Sequence, residues 1–281
     1  MTNESTALAV VSQEELDAFY NQNKKKVVGI PRLKINSRAE DSLGNVIVGT
    51  DGKPLGAGTF CVDGAEVFQK EIKFIPLLSY NQYTKLNSEF KLESATVYFD
   101  DWGTEPLDST GGVRCGRPYA KVLKAMTEDT QKEWKKEVPL NLHMFGLAFF
   151  EGGPEEGIPV DFRVSGGKYA AASKALQSVD RMNTHYFKLS LKRDSNGGTV
   201  FFNLIMEATG ERVTPTPYII GVNNSFKAFI ADANEKILEQ HKAVAANRLV
   251  NASATDFMNS IVSDTDYTDI TDPELNDEVP Y

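Results

Sequence analysis

The last eighteen residues, 264–281, combine strong negative charge with one apolar end. They hold seven acidic residues and no lysine or arginine, and they finish with Asp277, Glu278, Val279, Pro280 and Tyr281. A segment with so little apolar content cannot offset the entropy lost on folding, and its like charges repel. We therefore expect a disordered acidic tail whose ring and carboxylates dock on a basic groove of a partner. The alternative is a solubilising tail without a specific partner.

Two segments that alternate basic and apolar residues have the pattern of strands with one charged face. In residues 31–35, Arg32 and Lys34 share one face while their apolar neighbours point the other way. The run 185–192 repeats the arrangement, with three candidate binding residues on one face: Tyr186, Lys188 and Lys192. Such faces suit the phosphates and bases of a nucleic acid. Lysine on a strand also protects against edge pairing, and this alternative stays open for each strand.

The glycine-rich segment 111–121 is the strongest local candidate for a phosphate contact. Glycine lets backbone amides approach a phosphate closely. The cationic and ring-bearing side chains of the segment are Arg114, Arg117, Tyr119 and Lys121. The cations can neutralise phosphates and the ring can stack on a base. An ordinary loop between a strand and a helix is the alternative, and weaker candidates for stacking are Trp102, Tyr80 and Tyr83.

No enzyme motif is present in the sequence. Residues 165–168 superficially resemble a phosphate-binding loop, but the first glycine and the hydroxyl that binds magnesium are missing. The three histidines lack the spacing of metal ligands, and His143, within an apolar run, is best explained as a core residue. No nucleophile elbow occurs. We expect a protein that is not an enzyme and that binds neither metal nor cofactor.

Net charge does not exclude an anionic ligand. The whole chain carries 30 basic and 39 acidic residues, net −9. Without the seven acids of the tail the balance is 30 against 32, so the body is nearly neutral and can present a basic face. Cys61 and Cys115 show no metal-binding spacing, and no apolar run has the length of a membrane span. We expect a soluble cytoplasmic protein that makes no contact with membranes.

The residue pattern up to about residue 208 consists of short β-prone runs separated by turn signals. Helical patches interrupt the runs at 127–137 and 169–182, and a longer amphipathic helix follows at 225–249. This pattern predicts a mainly β fold with α elements, an enlarged antiparallel barrel of the OB type. A β-sandwich with an appended helix is the alternative.

The predicted organisation has four parts. An N-terminal arm with a short helix is followed by an OB-like nucleic-acid-binding core, a C-terminal helix and the disordered acidic tail, at 1–26, 27–222, 223–252 and 253–281. The apolar stripe of the C-terminal helix predicts packing on the barrel, with self-association into a homodimer as the alternative.

The end of the chain resembles the acidic tails of single-stranded DNA-binding proteins. The bacterial type closes on acids, a small apolar residue, Pro and Phe, and phage types carry a terminal aromatic residue, which here is Tyr281. The body is similar to a group of phage proteins with a Pro-Arg-Leu-Lys-Ile-Asn segment, here 31–36, and a Gly-Gly-Val-Arg-Cys-Gly segment, here 111–116. The resemblance implies a phage single-stranded DNA-binding protein that acts in the host cytoplasm.

The predicted function follows from the tail, the basic strands and the resemblance. We expect a protein that coats and protects single-stranded DNA in replication, recombination and repair. The tail would recruit polymerase, primase-helicase or nuclease, and would compete with DNA for the basic groove. The alternative is a non-enzymatic virion or assembly protein with a solubilising acidic tail.

Overall fold

The computed structural model of the chain describes residues 29–40, 45–49, 52–63, 67–89, 91–196 and 199–262. The predicted N-terminal arm, 1–26, lies outside the described residues. So does the acidic tail from residue 263 onward, including its last five residues.

Nine strands and four helices make up the described part of the chain. The strands are β1 (Arg32–Asn36), β2 (Thr59–Val62), β3 (Phe68–Gln69), β4 (Glu71–Leu86), β5 (Leu92–Ala95), β6 (Leu140–Phe149), β7 (Ile158–Ser165), β8 (His185–Asn196) and β9 (Thr199–Arg212). The helices are α1 (Ala120–Ala125), α2 (Glu128–Glu137), α3 (Gly166–Gln177) and α4 (Pro217–Val262).

The strands form one curled sheet in the order β3-β2-β1-β7-β6-β4-β8-β9, with β5 paired to the second half of β4. The neighbouring strands are antiparallel except β1 and β7, which are parallel. The sheet curls into an open half-barrel, so the predicted mainly β fold with α elements is confirmed. Within the described residues the barrel does not close, because β3 and β9 both remain edge strands.

Each face of the sheet carries its own apolar layer. One layer packs with α3 and includes the fully buried rings of Phe74, Phe162 and Phe187; we call this side the α3 face. The other layer packs with α4, whose Phe226 meets Phe145 of β6; we call this side the α4 face. Burial on both faces explains why the central strands are nearly continuous apolar runs.

Strand alternation follows the prediction on both basic segments. Leu33 is buried on the α3 face while Arg32 and Lys34 are exposed on the opposite face. In β8, Phe187 is buried in the same layer, and Lys188 points the other way. Side chains that are two residues apart on a strand share a face, so the local sequence is enough to predict which side chains lie together.

A bulge in the 16-residue strand β4 changes which side chains point to which face of the sheet. The pairing with β6 shifts between Pro76 and Leu78, which resets the alternation of side chains. Beyond the bulge, Gln82 and Thr84 line a cavity beneath α4. Tyr83 between them therefore points to the α3 face.

Helix α4 is longer than predicted at both ends. It begins at Pro217, six residues before 223, and proline is favoured at a first helical position because it lacks the N–H. It ends at Val262, ten residues after the predicted helix end at 252. Residues 253–262 contain neither proline nor glycine, and the dense acids begin only at Asp264. No helix among the described residues is long and apolar enough to cross a bilayer.

Candidate nucleic-acid interface

The nine predicted binding residues of the body fall into three clusters. The clusters are Arg32 and Lys34 on β1, then Arg114, Arg117, Tyr119 and Lys121 after β5, then Tyr186, Lys188 and Lys192 on β8. Strands β7, β6 and β4 separate the first cluster from the third. The second cluster is held against Tyr83, on the other face of the sheet from Arg32. The three clusters therefore do not line one shared basic groove.

Stacked rings and two arginines form a surface beside β4. We call it the aromatic patch, which consists of Tyr83, Phe99, Trp102, Arg114, Arg117 and Tyr119. The rings of Tyr83 and Phe99 stack with centroids 5.8 Å apart, and Trp102 meets Phe99 edge-on at 5.2 Å. The guanidinium of Arg114 lies 3.2 Å from the ring centroid of Tyr119. Trp102 and Tyr119 remain 60% and 53% exposed, so both rings can receive a base.

Asp108 organises the glycine-rich segment from inside. Its side chain is fully buried, and its carboxylate accepts bonds from the amides of Thr110, Gly112 and Cys115 at 2.9, 3.0 and 2.8 Å. The Thr110 hydroxyl donates a further bond of 2.7 Å. Arg114 and Cys115 adopt left-handed φ values of 54° and 51° within this loop. The amides of Gly112 and Cys115 are already bonded, so the predicted amide cradle for a phosphate is not formed.

The arginines of the aromatic patch are partly neutralised or bonded. Arg114 is 11% exposed at its side chain and forms an ion pair with Glu105 at 3.5 Å. A hydrogen bond to Glu105 also raises the pKa of Tyr119. Arg117 donates a 2.6 Å bond to the carbonyl of Val138, and burial lowers the pKa of Arg117. These arginines hold the rings in place, and the rings provide most of the accessible surface.

Acidic side chains flank Trp102. Asp101 accepts bonds from the amide of Gly103 at 2.7 Å and from the Thr104 hydroxyl at 2.9 Å, and these bonds lower the pKa of Asp101. Asp100 precedes it and is also exposed. A phosphate next to Trp102 would be repelled by these charges, whereas an uncharged base would not.

The first cluster belongs to a groove between β1 and β7, which we call the arginine groove. Its mouth has a volume of about 290 Å³, and its basic lining residues are Arg32, Lys34, Arg163 and Lys168. No acidic residue lines the mouth. Arg32 and Arg163 also line an adjoining cavity of about 570 Å³ beneath α4. Lys34 is paired with Asp63, at the edge of this space.

The third cluster is less suited to stacking than predicted. Tyr186 is half-buried and packs on Phe149, with ring centroids 5.7 Å apart. Lys188 forms an ion pair with Glu71 at 2.8 Å. Lys192 is exposed and makes no ion pair with a described residue. Of the three, only Lys192 offers an uncommitted charge.

Sequence reasoning missed Arg163, rejected the segment of Lys168 as a phosphate-binding loop, and treated Trp102 as a weaker candidate. The alternation Asp161-Phe162-Arg163 in β7 could have placed Arg163 on a solvent face. Its position beside Arg32 arises from the parallel pairing of β1 with β7, where Arg32 pairs with Asp161. No local pattern predicts that pairing.

Among the described residues, no group of three or more His, Cys, Asp or Glu side chains is placed to hold a metal ion. Comparisons with family models, with curated proteins and with solved structures return no match. A function for this chain therefore has to be argued from the site itself.

Proposed function

We propose that this protein binds single-stranded DNA through the aromatic patch, and that it coats exposed strands during phage replication, recombination and repair. The supporting observation is the pair of exposed rings, Trp102 and Tyr119, held on one surface beside Arg114 and Arg117. Stacking of a base on an aromatic ring contributes about 1–3 kcal/mol and tolerates any sequence. A duplex hides the faces of its bases, so the patch favours single strands.

Lysines next to the aromatic patch supply charge for the phosphates. Lys121 and Lys124 of α1 are exposed and make no ion pair with a described residue. The acids beside Trp102 keep phosphates away from that side, so the backbone of the strand follows α1 while its bases face the rings. Each neutralised phosphate adds to the salt dependence of binding.

Trp102 provides a direct reporter of base stacking. The chain has two tryptophans, Trp102 and Trp134, so Trp134→Phe leaves Trp102 as the single indole. Titration of this variant with oligo-dT should quench its fluorescence, because a stacked base contacts the exposed ring. A duplex of equal length should leave the fluorescence nearly unchanged.

The affinity test uses Trp102→Ala and a labelled oligo-dT in fluorescence anisotropy. Removing the ring should weaken binding roughly 5- to 150-fold, the equivalent of one lost stacked base. Trp134→Phe is the matched control and should bind like the wild type. Duplex binding as tight as single-strand binding, or wild-type affinity in Trp102→Ala, would contradict the proposal.

The acidic tail has a separate part in the proposed function. Residues 264–281 carry seven acids and the ring of Tyr281, which suit a basic groove on a polymerase, primase-helicase or nuclease. Recruitment through the tail would bring these partners to coated strands in the host cytoplasm. Both cysteines of the chain are free, in keeping with a reducing compartment.

A second candidate function, assembly into a shell or filament, is favoured by the edge strand β9. It spans 14 residues and exposes three large apolar side chains, Val200, Phe201 and Ile205. A long apolar edge can pair with another copy of the chain. Light scattering after size exclusion would show a large oligomer that Phe201→Lys disrupts, whereas a small species retained on single-stranded DNA resin favours DNA binding.

A further inference from the structure

The cavity of the arginine groove lies beneath α4, whereas Lys168 at its mouth belongs to α3, and the groove has its own set of charges. Five basic and three acidic side chains line its mouth and cavity: Arg32, Lys34, Arg163, Lys168 and Lys236, with Asp63, Glu93 and Asp161. Each acid is engaged. Asp63 forms an ion pair with Lys34, and Glu93 forms one with Lys85 at 3.1 Å, whereas Asp161 is hydrogen-bonded to Nδ1 of His143 at 3.0 Å.

Three cations of the arginine groove have no acidic partner. Arg32, Arg163 and Lys168 make no ion pair with any residue that the structure describes. Arg32 and Arg163 lie on the same face of paired strands. Burial together with the charge of Arg32 lowers the pKa of Arg163, and the nearby charge of Asp161 opposes this shift only in part. Two guanidinium groups held side by side repel each other, and an anion between them would remove that repulsion.

A buried polar atom deeper in the cavity also lacks a partner. The Nδ1 atom of His143 bonds to Asp161, but its Nε2 atom is buried without a hydrogen-bond partner among the described residues. Buried polar atoms of this kind are rare and call for an explanation such as a bound ligand. Burial and the charge of Asp161 raise the pKa of Tyr98 to about 12, so its hydroxyl keeps its proton and remains a donor.

The walls of the cavity suit a planar ring. The side chains of Tyr98 and Phe229 line it from the sheet side and from α4. Gln82, Thr84 and Gln240 add uncharged hydrogen-bonding groups. A volume of about 570 Å³ lies within the range of pockets that hold small organic ligands.

We propose that the arginine groove binds a phosphate monoester of nucleotide size. The phosphate lies between Arg32 and Arg163, with Lys168 at the mouth, and the ring-bearing part enters the cavity beside Tyr98 and Phe229. Guanidinium groups bind phosphate oxygens with charge-assisted, bidentate hydrogen bonds. Such a ligand is either a free mononucleotide or the 5′-phosphate end of a DNA strand.

Isothermal titration calorimetry with dTMP and with thymidine tests the proposal on the wild-type chain. We expect dTMP to bind and to raise the melting temperature, because ligand binding stabilises the native state. Thymidine, which lacks the phosphate, should bind at least about tenfold more weakly. Equal binding of the two compounds, or no binding of dTMP, overturns the proposal.

Variants then locate the site. Arg32→Gln and Arg163→Gln should each weaken dTMP binding at least about tenfold, since each removes charged hydrogen bonds. Arg212→Gln is the matched control, because Arg212 is exposed on β9 and lies outside the groove. If a groove arginine proves necessary for folding, Lys168→Gln at the exposed mouth takes its place. Wild-type affinity in the Arg32→Gln/Arg163→Gln double variant overturns the assignment.

Two further experiments distinguish a free nucleotide from the 5′ end of a strand, and the arginine groove from the aromatic patch. A 5′-phosphorylated dT oligonucleotide should bind more tightly than its 5′-hydroxyl counterpart if the groove holds strand ends, and equally if it holds free nucleotides. Trp102→Ala should retain full dTMP binding. Tyr83 of the aromatic patch and Gln82 of the cavity are neighbours on β4, so their side chains point to opposite faces of the sheet. Loss of dTMP binding in Trp102→Ala would contradict two separate sites.

Discussion

At the scale of the residue, the hydrogen bonds and ion pairs of buried polar groups determine which side chains remain accessible to a ligand. Asp108 holds the glycine-rich loop by four hydrogen bonds, and Glu105 neutralises Arg114 under the ring of Tyr119. The loop therefore contributes rings to the surface while its amides stay bonded inside. By contrast, Arg32 and Arg163 form no ion pair with a described residue, and the nearby Asp161 is hydrogen-bonded to His143.

Asp108→Asn should destabilise the loop. The amide nitrogen that replaces one carboxylate oxygen cannot accept from backbone N–H groups, so at least one buried donor loses its partner. We expect the free energy of unfolding to fall by about 1–3 kcal/mol in urea denaturation, and oligo-dT binding to weaken with it. Asp129→Asn, at an exposed site on α2, should change stability by less than about 0.5 kcal/mol. A fully stable Asp108→Asn would show that the loop does not depend on this carboxylate.

Tyr98 should make the protein sensitive to alkali. Its pKa is raised from 10.0 to about 12 in the folded chain. Between these values the unfolded chain ionises while the folded chain keeps the proton, so stability falls as the pH rises through that window. Below pH 10 the residue contributes no pH dependence.

Urea denaturation at several pH values from 8 to 11 measures this effect. The variant Tyr98→Phe has no ionisable group at this position, so its stability should fall less steeply above pH 10 than that of the wild type. Identical slopes in the two proteins would mean that the Tyr98 hydroxyl ionises as easily as a solvated one.

At the scale of the element, α4 serves both the core and the arginine groove. Its first half packs Phe226 and Ile230 on the sheet, and its middle supplies Phe229 and Lys236 to the cavity. Asn234 ties the helix to the strand region by bonds of 2.7 and 3.1 Å to the backbone of Tyr98. Loss of helix packing should therefore disturb the groove as well as stability.

Phe226→Ala tests how firmly α4 packs on the sheet. Phe226 is 2% exposed, and its ring centroid lies 5.6 Å from that of Phe145. Truncating a buried phenylalanine destabilises by about 3–5 kcal/mol, so the melting temperature should fall markedly. Lys227→Ala, on the exposed side of the same turn, should leave it nearly unchanged. A small effect of Phe226→Ala would mean that α4 is only loosely attached to the sheet.

At the scale of the whole molecule, charge is divided between a nearly neutral body and a strongly acidic tail. The tail holds seven of the 39 acidic residues in eighteen positions. A tethered polyanion is present near basic surfaces of its own chain at high effective concentration. We therefore expect tail and DNA to compete.

Deleting residues 264–281 should tighten binding of oligo-dT and abolish recruitment of partner proteins. The affinity for oligo-dT should rise several-fold at low salt. This increase should become smaller as the salt concentration rises, because exposed charges are screened beyond a Debye length of about 10 Å at 0.1 M. Anisotropy titrations over a salt series measure both trends. A tail of equal length with its acids replaced by amides should behave like the deletion. Unchanged or weaker DNA binding after deletion would contradict the competition.

Much of the fold could be predicted from local sequence. The alternation of Arg32, Leu33 and Lys34 predicted which side chains share a face, because side chains on a strand alternate regardless of the neighbouring strand. The helices α2 and α3 were predicted with bounds that differ by at most five residues from those observed, since charge order and apolar periodicity depend on near neighbours. The C-terminal end of α4 was predicted too early, because the continuation of the helix through residues 253–262, which contain neither proline nor glycine, was not recognised.

By itself, the sequence determined the mainly β class, the faces of the basic strands and the charge of the tail, all of which depend on residues close together in the chain. Only the tertiary structure decided that Arg32 lies beside Arg163, that Tyr83, Phe99 and Trp102 form one patch, and that Arg32 and Arg117 serve different surfaces. The reason is that strand order, the parallel pair β1–β7 and the bulge in β4 arise from the packing of distant segments, whose combined burial no local pattern encodes.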